Sequence, residues 1–141
     1  MDLVFDELFT VPIWRLWAAL TDAEELGVWL MTPTNFEPEV GRKFTLRADP
    51  KPGWRGWVEC EILAIEPPHR MIWAWSNDVD EDARLTFELS EAEGGGTRLI
   101  LRHAGNINPT AADLLRRGWP LKLGVLAAGL AKPSTSVIET E

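Results

Sequence analysis

The sequence contains no tyrosine, a single cysteine and only two histidines. Cys60 alone closes no internal disulfide, so packing must hold the fold, and a reducing cytoplasm is the expected compartment. Neither the histidines nor the cysteine fall in an HxxxH or CxxC spacing, so no metal site and no cofactor are expected. Long apolar runs are missing as well. Arg15, Asp22 and Lys122 interrupt the best stretches well short of the roughly 20 residues that cross a bilayer. No charged segment followed by an apolar run opens the chain, so no secretory leader is expected. Positive charge is in short supply: 14 basic residues face 22 acidic ones, a formal charge of −8. Such a surface repels phosphate backbones and anionic lipid, which removes nucleic acid and membranes from the expected partners. Ser76, Ser90, Ser134 and Ser136 lie in no GxSxG context, so the commonest signature of a serine nucleophile is absent.

What the chain has in place of these is ring bulk without hydroxyl groups: eight tryptophans and five phenylalanines. That composition suits a core or a cavity wanting volume and little polarity. A length of 141 residues fits one domain with one substantial core. Residues 1–132 read as that domain and residues 133–141 as a frayed polar tail.

The hydrophobic period changes along the chain. DLVFDELFTV reads as a strand. In VPIWRLWAALTD, Pro12 suits a first turn, while Ile13, Leu16, Trp17 and Leu20 recur at helical spacing. Asp22 with Glu25 resembles a capping box for a second short helix carrying Leu26, Trp29 and Leu30, with Pro33 just beyond its end. From Phe36 onward the pattern is β: Phe44 and Leu46; Val58, Cys60 and Ile62; Met71, Trp73 and Trp75; Leu85, Phe87 and Leu89; Leu99, Leu101 and His103 each alternate with polar neighbours. Thr110 with Asp113 offers a capping-box start for a last helix, along which Leu115, Trp119, Leu123, Leu126 and Leu130 form a stripe. Pro120 removes a hydrogen bond to the Arg116 carbonyl and clashes there, which predicts a bend or break between Arg117 and Leu121, read as a static irregularity with a moving lid as the alternative.

Other motifs take plain readings. The GGGT segment lies between two strands, not between strand and helix, and reads as a hairpin turn instead of a phosphate loop. Asp78, Asp80, Glu81 and Asp82 lack the central glycine and terminal glutamate of a calcium loop, and read as a solvated loop. Cys60, on the inward side of its strand, reads as an inert core thiol. His69, beside two prolines, reads as exposed. Trp17 and Trp29 read as core, and Trp54 and Trp57, flanking a turn, as surface or rim residues.

Strand, two short helices, antiparallel strands, long helix: this order is α+β, and strands with one apolar face need a cover. LWAALTDAEELGVWL, EVGRKFTL, WRGWVECEILAIEPPHRMIWAW, GGGTRLILRHAG and the GW of the last helix, in this order, resemble the activator-of-heat-shock-ATPase family of START-like, birch-pollen-allergen-like domains over nearly the whole chain. The resemblance implies a helix-grip fold: a curved antiparallel sheet wrapped around a long C-terminal helix, with a cavity between them that in relatives accepts apolar molecules. Some relatives stimulate a chaperone ATPase, and others are polyketide cyclases or aromatases. The chain departs from the pattern in placing Pro120 directly after GW and in having a short, glycine-containing last helix, which bears on how the cavity closes.

Carried onto this chain, strand parity and the helix stripe give Trp73, Trp75, Phe87, Leu101, His103, Trp119 and Leu123 as cavity residues, with His103 neutral and the main polar anchor. No catalytic residue is assigned. The expected function is noncatalytic binding of a small hydrophobic or aromatic molecule. The alternatives are an interaction module for a chaperone or another protein, and a cyclase in which His103 and a nearby carboxylate move protons. A homodimer is compatible with all three.

Overall fold

The first strand, β1 (Asp2–Phe9), leads into two short helices before the chain enters a run of antiparallel strands. The computed structural model describes residues 2–77 and 82–131. Asp78, Asp80, Glu81 and the expected tail at residues 133–141 therefore lie outside the described residues, whereas Asp82 opens a strand.

Helix α1 (Ile13–Thr21) follows Pro12 as its N-cap and buries Ile13, Leu16, Trp17, Ala19 and Leu20. Helix α2 (Ala23–Trp29) starts where the sequence places it. The Asp22 carboxylate accepts from the Glu25 N–H at 2.9 Å. The reciprocal half of the box is replaced, because the Glu25 carboxylate takes two hydrogen bonds from Arg15 at 2.9 and 3.1 Å. The segment after α2 holds a strand that periodicity does not announce, β2 (Thr32–Thr34), with Pro33 inside it. This strand lies at the sheet edge, where a missing N–H costs no ladder bond.

The remaining strands are β3 (Lys43–Arg47), β4 (Trp57–Glu66), β5 (Arg70–Ser76), β6 (Asp82–Glu91) and β7 (Thr97–Asn106). They form one open, curved seven-stranded antiparallel sheet in the order β1-β7-β6-β5-β4-β3-β2. The GGGT segment is the β6–β7 connection. Between Ile62 and Ala64 the β4–β5 register shifts, and such a bulge bends and twists its strand. Strand parity is obeyed closely elsewhere. Ile62, Trp73, Leu85 and His103 stand opposite one another across four strands, and all are fully buried. On the other face, Arg98 and Arg102 of β7 are exposed and pair with Asp6 and Asp2 of β1.

Helix α3 (Pro109–Ala131) covers the inner face with Ala111, Ala112, Trp119, Leu123 and Leu126 buried. Its cap is Asn108, whose side-chain oxygen accepts from the Ala111 N–H at 2.8 Å, so the Thr110–Asp113 reading is corrected by two residues. Pro109 then takes the first helical position, where its missing N–H is harmless. Of the bend or break expected between Arg117 and Leu121, the break is absent: the helix runs through Pro120 for 23 residues. Arg116 and Pro120 are both exposed, so the proline sits on the solvent side of the helix, where a carbonyl without its helix partner is open to water. The helix is thus long, about 34 Å at the usual rise, and the shortness inferred from its glycines is also corrected. Among the described residues no helix is long and apolar enough to cross a membrane.

Between sheet and helices the core is built from rings. Phe36, Phe44, Trp73 and Phe87 meet edge to face with centroids 4.9 to 6.1 Å apart. Each such contact adds about 0.5 to 1.5 kcal/mol beyond the area it buries.

Candidate functional site

The sheet–helix interface is filled at its centre and open at one end. A half-open cleft of about 350 Å³ lies where the β3–β4 loop, the end of β5 and the segment after α2 meet the first half of α3. Trp54, Trp75 and Trp119 wall it, with Leu30, Met31, Val58 and Leu115 completing the apolar lining. Asp49, Lys51, Asn77 and Lys122 supply the polar groups.

Each wall is held from a different element. Trp75 turns inward by the parity of β5 and lies 5.9 Å, centroid to centroid, from Trp119 on α3. Trp54 stands on a tight turn in which Lys51 and Trp54 exchange backbone hydrogen bonds of 3.1 and 2.8 Å. Its indole N–H donates to the Asn77 side-chain oxygen at the end of β5. That turn needs Gly53, whose φ is +84° and where a Cβ would meet Thr110 at 3.4 Å. Gly56, with φ +96°, lets the loop fold back until a Cβ would stand only 3.0 Å from the Ala48 carbonyl oxygen and the Pro50 ring. Lys122 ties α3 to the segment after α2 by donating to the Leu30 carbonyl at 2.7 Å.

His103 stands behind the tryptophans. It is fully buried, with the Trp75 ring 4.9 Å away edge to face. The Trp119 indole N–H donates to its Nδ1 at 3.1 Å. An accepting Nδ1 places the proton of the neutral ring on Nε2, and among the described residues Nε2 has no hydrogen-bond partner. Burial lowers the His103 pKa to about 4, so the ring is neutral at pH 7. Burial and then the neighbouring Glu59 push the Cys60 thiol well above its ordinary value, which leaves it protonated and unreactive.

Of the residues read from the sequence as cavity-facing, Trp75 and Trp119 line the cleft. Trp73, Phe87, Leu101, His103 and Leu123 are buried but are not part of its lining. The physical reason is ring volume: Phe36 and Phe44 pack onto Trp73, and Trp73 onto Phe87, so the space expected at the sheet centre is occupied. His69 is exposed, and Trp57 lies under Arg55, whose guanidinium is 3.5 Å from the ring centroid. Trp54, read from the sequence as a surface or rim residue, is partly buried and lines the cleft, whereas Lys51 and Asn77 were missed because loop residues carry no periodicity. Lys122 did leave a signal: it falls three residues after Trp119 and seven after Leu115, a cation within an apolar stripe. No group of His, Cys, Asp or Glu among the described residues is arranged to hold a metal ion.

Known structures share this architecture. Protein MLL2253 from Mesorhizobium loti is 30% identical, with 92% of this chain and 96% of that one aligned at a TM-score of 0.81. CalU16 from Micromonospora echinospora is 25% identical over 99% of this chain and 81% of its own, with a TM-score of 0.76. DynU16, a protein of the dynemicin biosynthetic locus, shares the fold at 21% identity and a TM-score of 0.75, over 92% of this chain and 46% of its own length. No curated protein matches the chain. Residues 10–131 match the family described as Activator of Hsp90 ATPase homolog 1-like protein, and the helix-grip-like fold agrees with that match. The chain belongs to this family.

Proposed function

We propose that this protein binds one small aromatic or otherwise apolar molecule in the cleft between the β3–β4 loop and α3, and acts as a binding protein and not as a catalyst. The observation that carries this reading is the cleft itself, with three tryptophans from three separate elements converging on about 350 Å³. That volume falls within the range typical of small-molecule sites, which are mostly apolar with a few placed polar groups. A general acid or base must come within about 2.6 to 3.2 Å of the proton it transfers. His103 is sealed behind Trp75 and Trp119, its Nδ1 already engaged, which supports binding without proton transfer. We place the whole cleft within one domain of residues 1–132.

The test is native mass spectrometry of protein purified from its own host, followed by titration of whatever small molecule is released. One molecule per chain, lost in Trp54→Ala while the fold persists, is the expected result. Trp54 suits this test because it is only partly buried. An empty protein that co-purifies stoichiometrically with another protein, and binds no released compound, would replace this reading with the interaction-module alternative.

A further inference from the structure

Lys122 occupies a position where a lysine is costly. It lies on the helix stripe beside Trp119, is partly buried, and faces a cleft whose walls are mostly apolar. Its Nζ donates one hydrogen bond, to the Leu30 carbonyl, and an ammonium has three N–H donors. A carbonyl also leaves the charge unneutralised. Across the cleft, Lys51 brings a second ammonium from the β3–β4 loop. Among the described residues neither lysine has an ion pair; Lys43, Arg47, Arg55, Arg84 and Arg117 have none either, but none of these five lines the cleft. One carboxylate, that of Asp49, shares the lining. A chain of formal charge −8 thus gathers two unpaired cations at a cleft walled by three of its tryptophans.

We propose that the cleft selects amphipathic anions: ligands with an aromatic or apolar body lying against Trp54, Trp75 and Trp119 and a single carboxylate-like group held between Lys122 and Lys51. This rests on the reading of the cleft as a binding site and names the class of ligand it takes. Burial, and next the repulsion from Lys51, lower the Lys122 pKa, so both effects disfavour an ammonium at this position. An anion between the ammoniums offsets both, and charge-assisted hydrogen bonds are about twice as strong as neutral ones. A neutral ligand of the same shape leaves the two charges facing each other.

The experiment compares two fluorescent probes on the full chain: anilinonaphthalene sulfonate and its neutral parent, N-phenylnaphthylamine, which has the same rings without the anionic group. Wild-type protein is expected to bind the sulfonate at least about tenfold tighter at low salt, and the advantage should shrink at molar salt, where the screening length falls to about 3 Å. Lys122→Met and Lys51→Met should each remove most of that advantage by weakening the sulfonate and not the neutral probe, with Lys122→Arg restoring it. If Lys122 serves only as a tether to Leu30, its removal weakens both probes alike, and Lys51→Met changes neither; that outcome overturns the proposal. Should Lys122→Met fail to fold, Lys51→Met carries the comparison, because Lys51 is exposed on its loop. Equal affinity for both probes, competed by each other and lost in Trp54→Ala, overturns anion selection while leaving the cleft as a binding site. Binding of neither probe overturns both.

Discussion

Trp119 serves the core and the cleft at once: it is 2% exposed, it walls the cleft, and its indole N–H donates to Nδ1 of His103. Trp119→Ala should lose about 3 to 5 kcal/mol of stability in urea unfolding, the usual cost of removing a large buried ring. Trp119→Phe keeps most of the ring and leaves Nδ1 of His103 without its donor, for which about 1 to 3 kcal/mol is expected. His103 itself makes stability depend on pH with a definite sign. Its folded pKa, about 4, lies below the ordinary 6.5, so the unfolded chain binds the proton first. The neutral-histidine contribution is complete above pH 6.5, falls as the pH drops from 6.5 toward 4, and levels off below that. The linked loss is about 3 kcal/mol for a group this deeply buried. Urea midpoints of wild type and His103→Phe, compared across that window, should converge as the pH falls; parallel curves would show that His103 is accessible to protons in the folded state. The alternation of β7 made the inward direction of His103 legible in the sequence. Its partner was not, because Trp119 lies on another element and only packing decides which ring nitrogen it meets.

At the scale of elements, α3 is where local rules and tertiary structure diverge most. Helix propensity assigns Pro120 a cost of about 3 kcal/mol relative to alanine in a helix interior, yet the helix is continuous. Trp119, Leu123 and Leu126 are buried on both sides of Pro120, and their packing favours the helix across it. Pro120→Ala should therefore stabilise the protein by about 1 to 3 kcal/mol, the smaller figure reflecting the freedom it restores to the unfolded chain. Amide exchange should show similar protection on both sides of Pro120 if the helix acts as one body, and unequal protection if one half opens as a lid. The cap at Asn108 carries a separate prediction: Asn108→Ala should cost about 1 kcal/mol, measured by thermal unfolding, with Thr110→Ala nearly neutral. The bulge in β4 was hidden from periodicity because Leu63, Ala64 and Ile65 form an apolar run in which no parity is visible.

At the scale of the molecule, the sheet and helices form a scaffold that is closed at the centre and open at one end. A ligand that binds only this folded arrangement must stabilise it, by about 2.7 kcal/mol at a hundredfold excess over its Kd. Thermal melts with increasing anilinonaphthalene sulfonate should rise accordingly in wild type and much less in Trp54→Ala; a melting temperature lowered by the dye would mean that it prefers the unfolded chain. Apart from β2, the order of elements, the inward parity of the strands and the apolar stripe of α3 were determined by the sequence alone, because backbone geometry converts spacing directly into direction. Spacing carries no information about volume, so the sequence pointed seven side chains at a common space without showing that Phe36, Phe44, Trp73 and Phe87 fill its centre. Only the tertiary structure decided where space is left. It did so by folding the β3–β4 loop over the first half of α3, so that Trp54 and Lys51 line one cleft with Trp119 and Lys122. Those pairs are some 70 residues apart in the chain, and their meeting depends on glycine-permitted turns and on packing that no local pattern records.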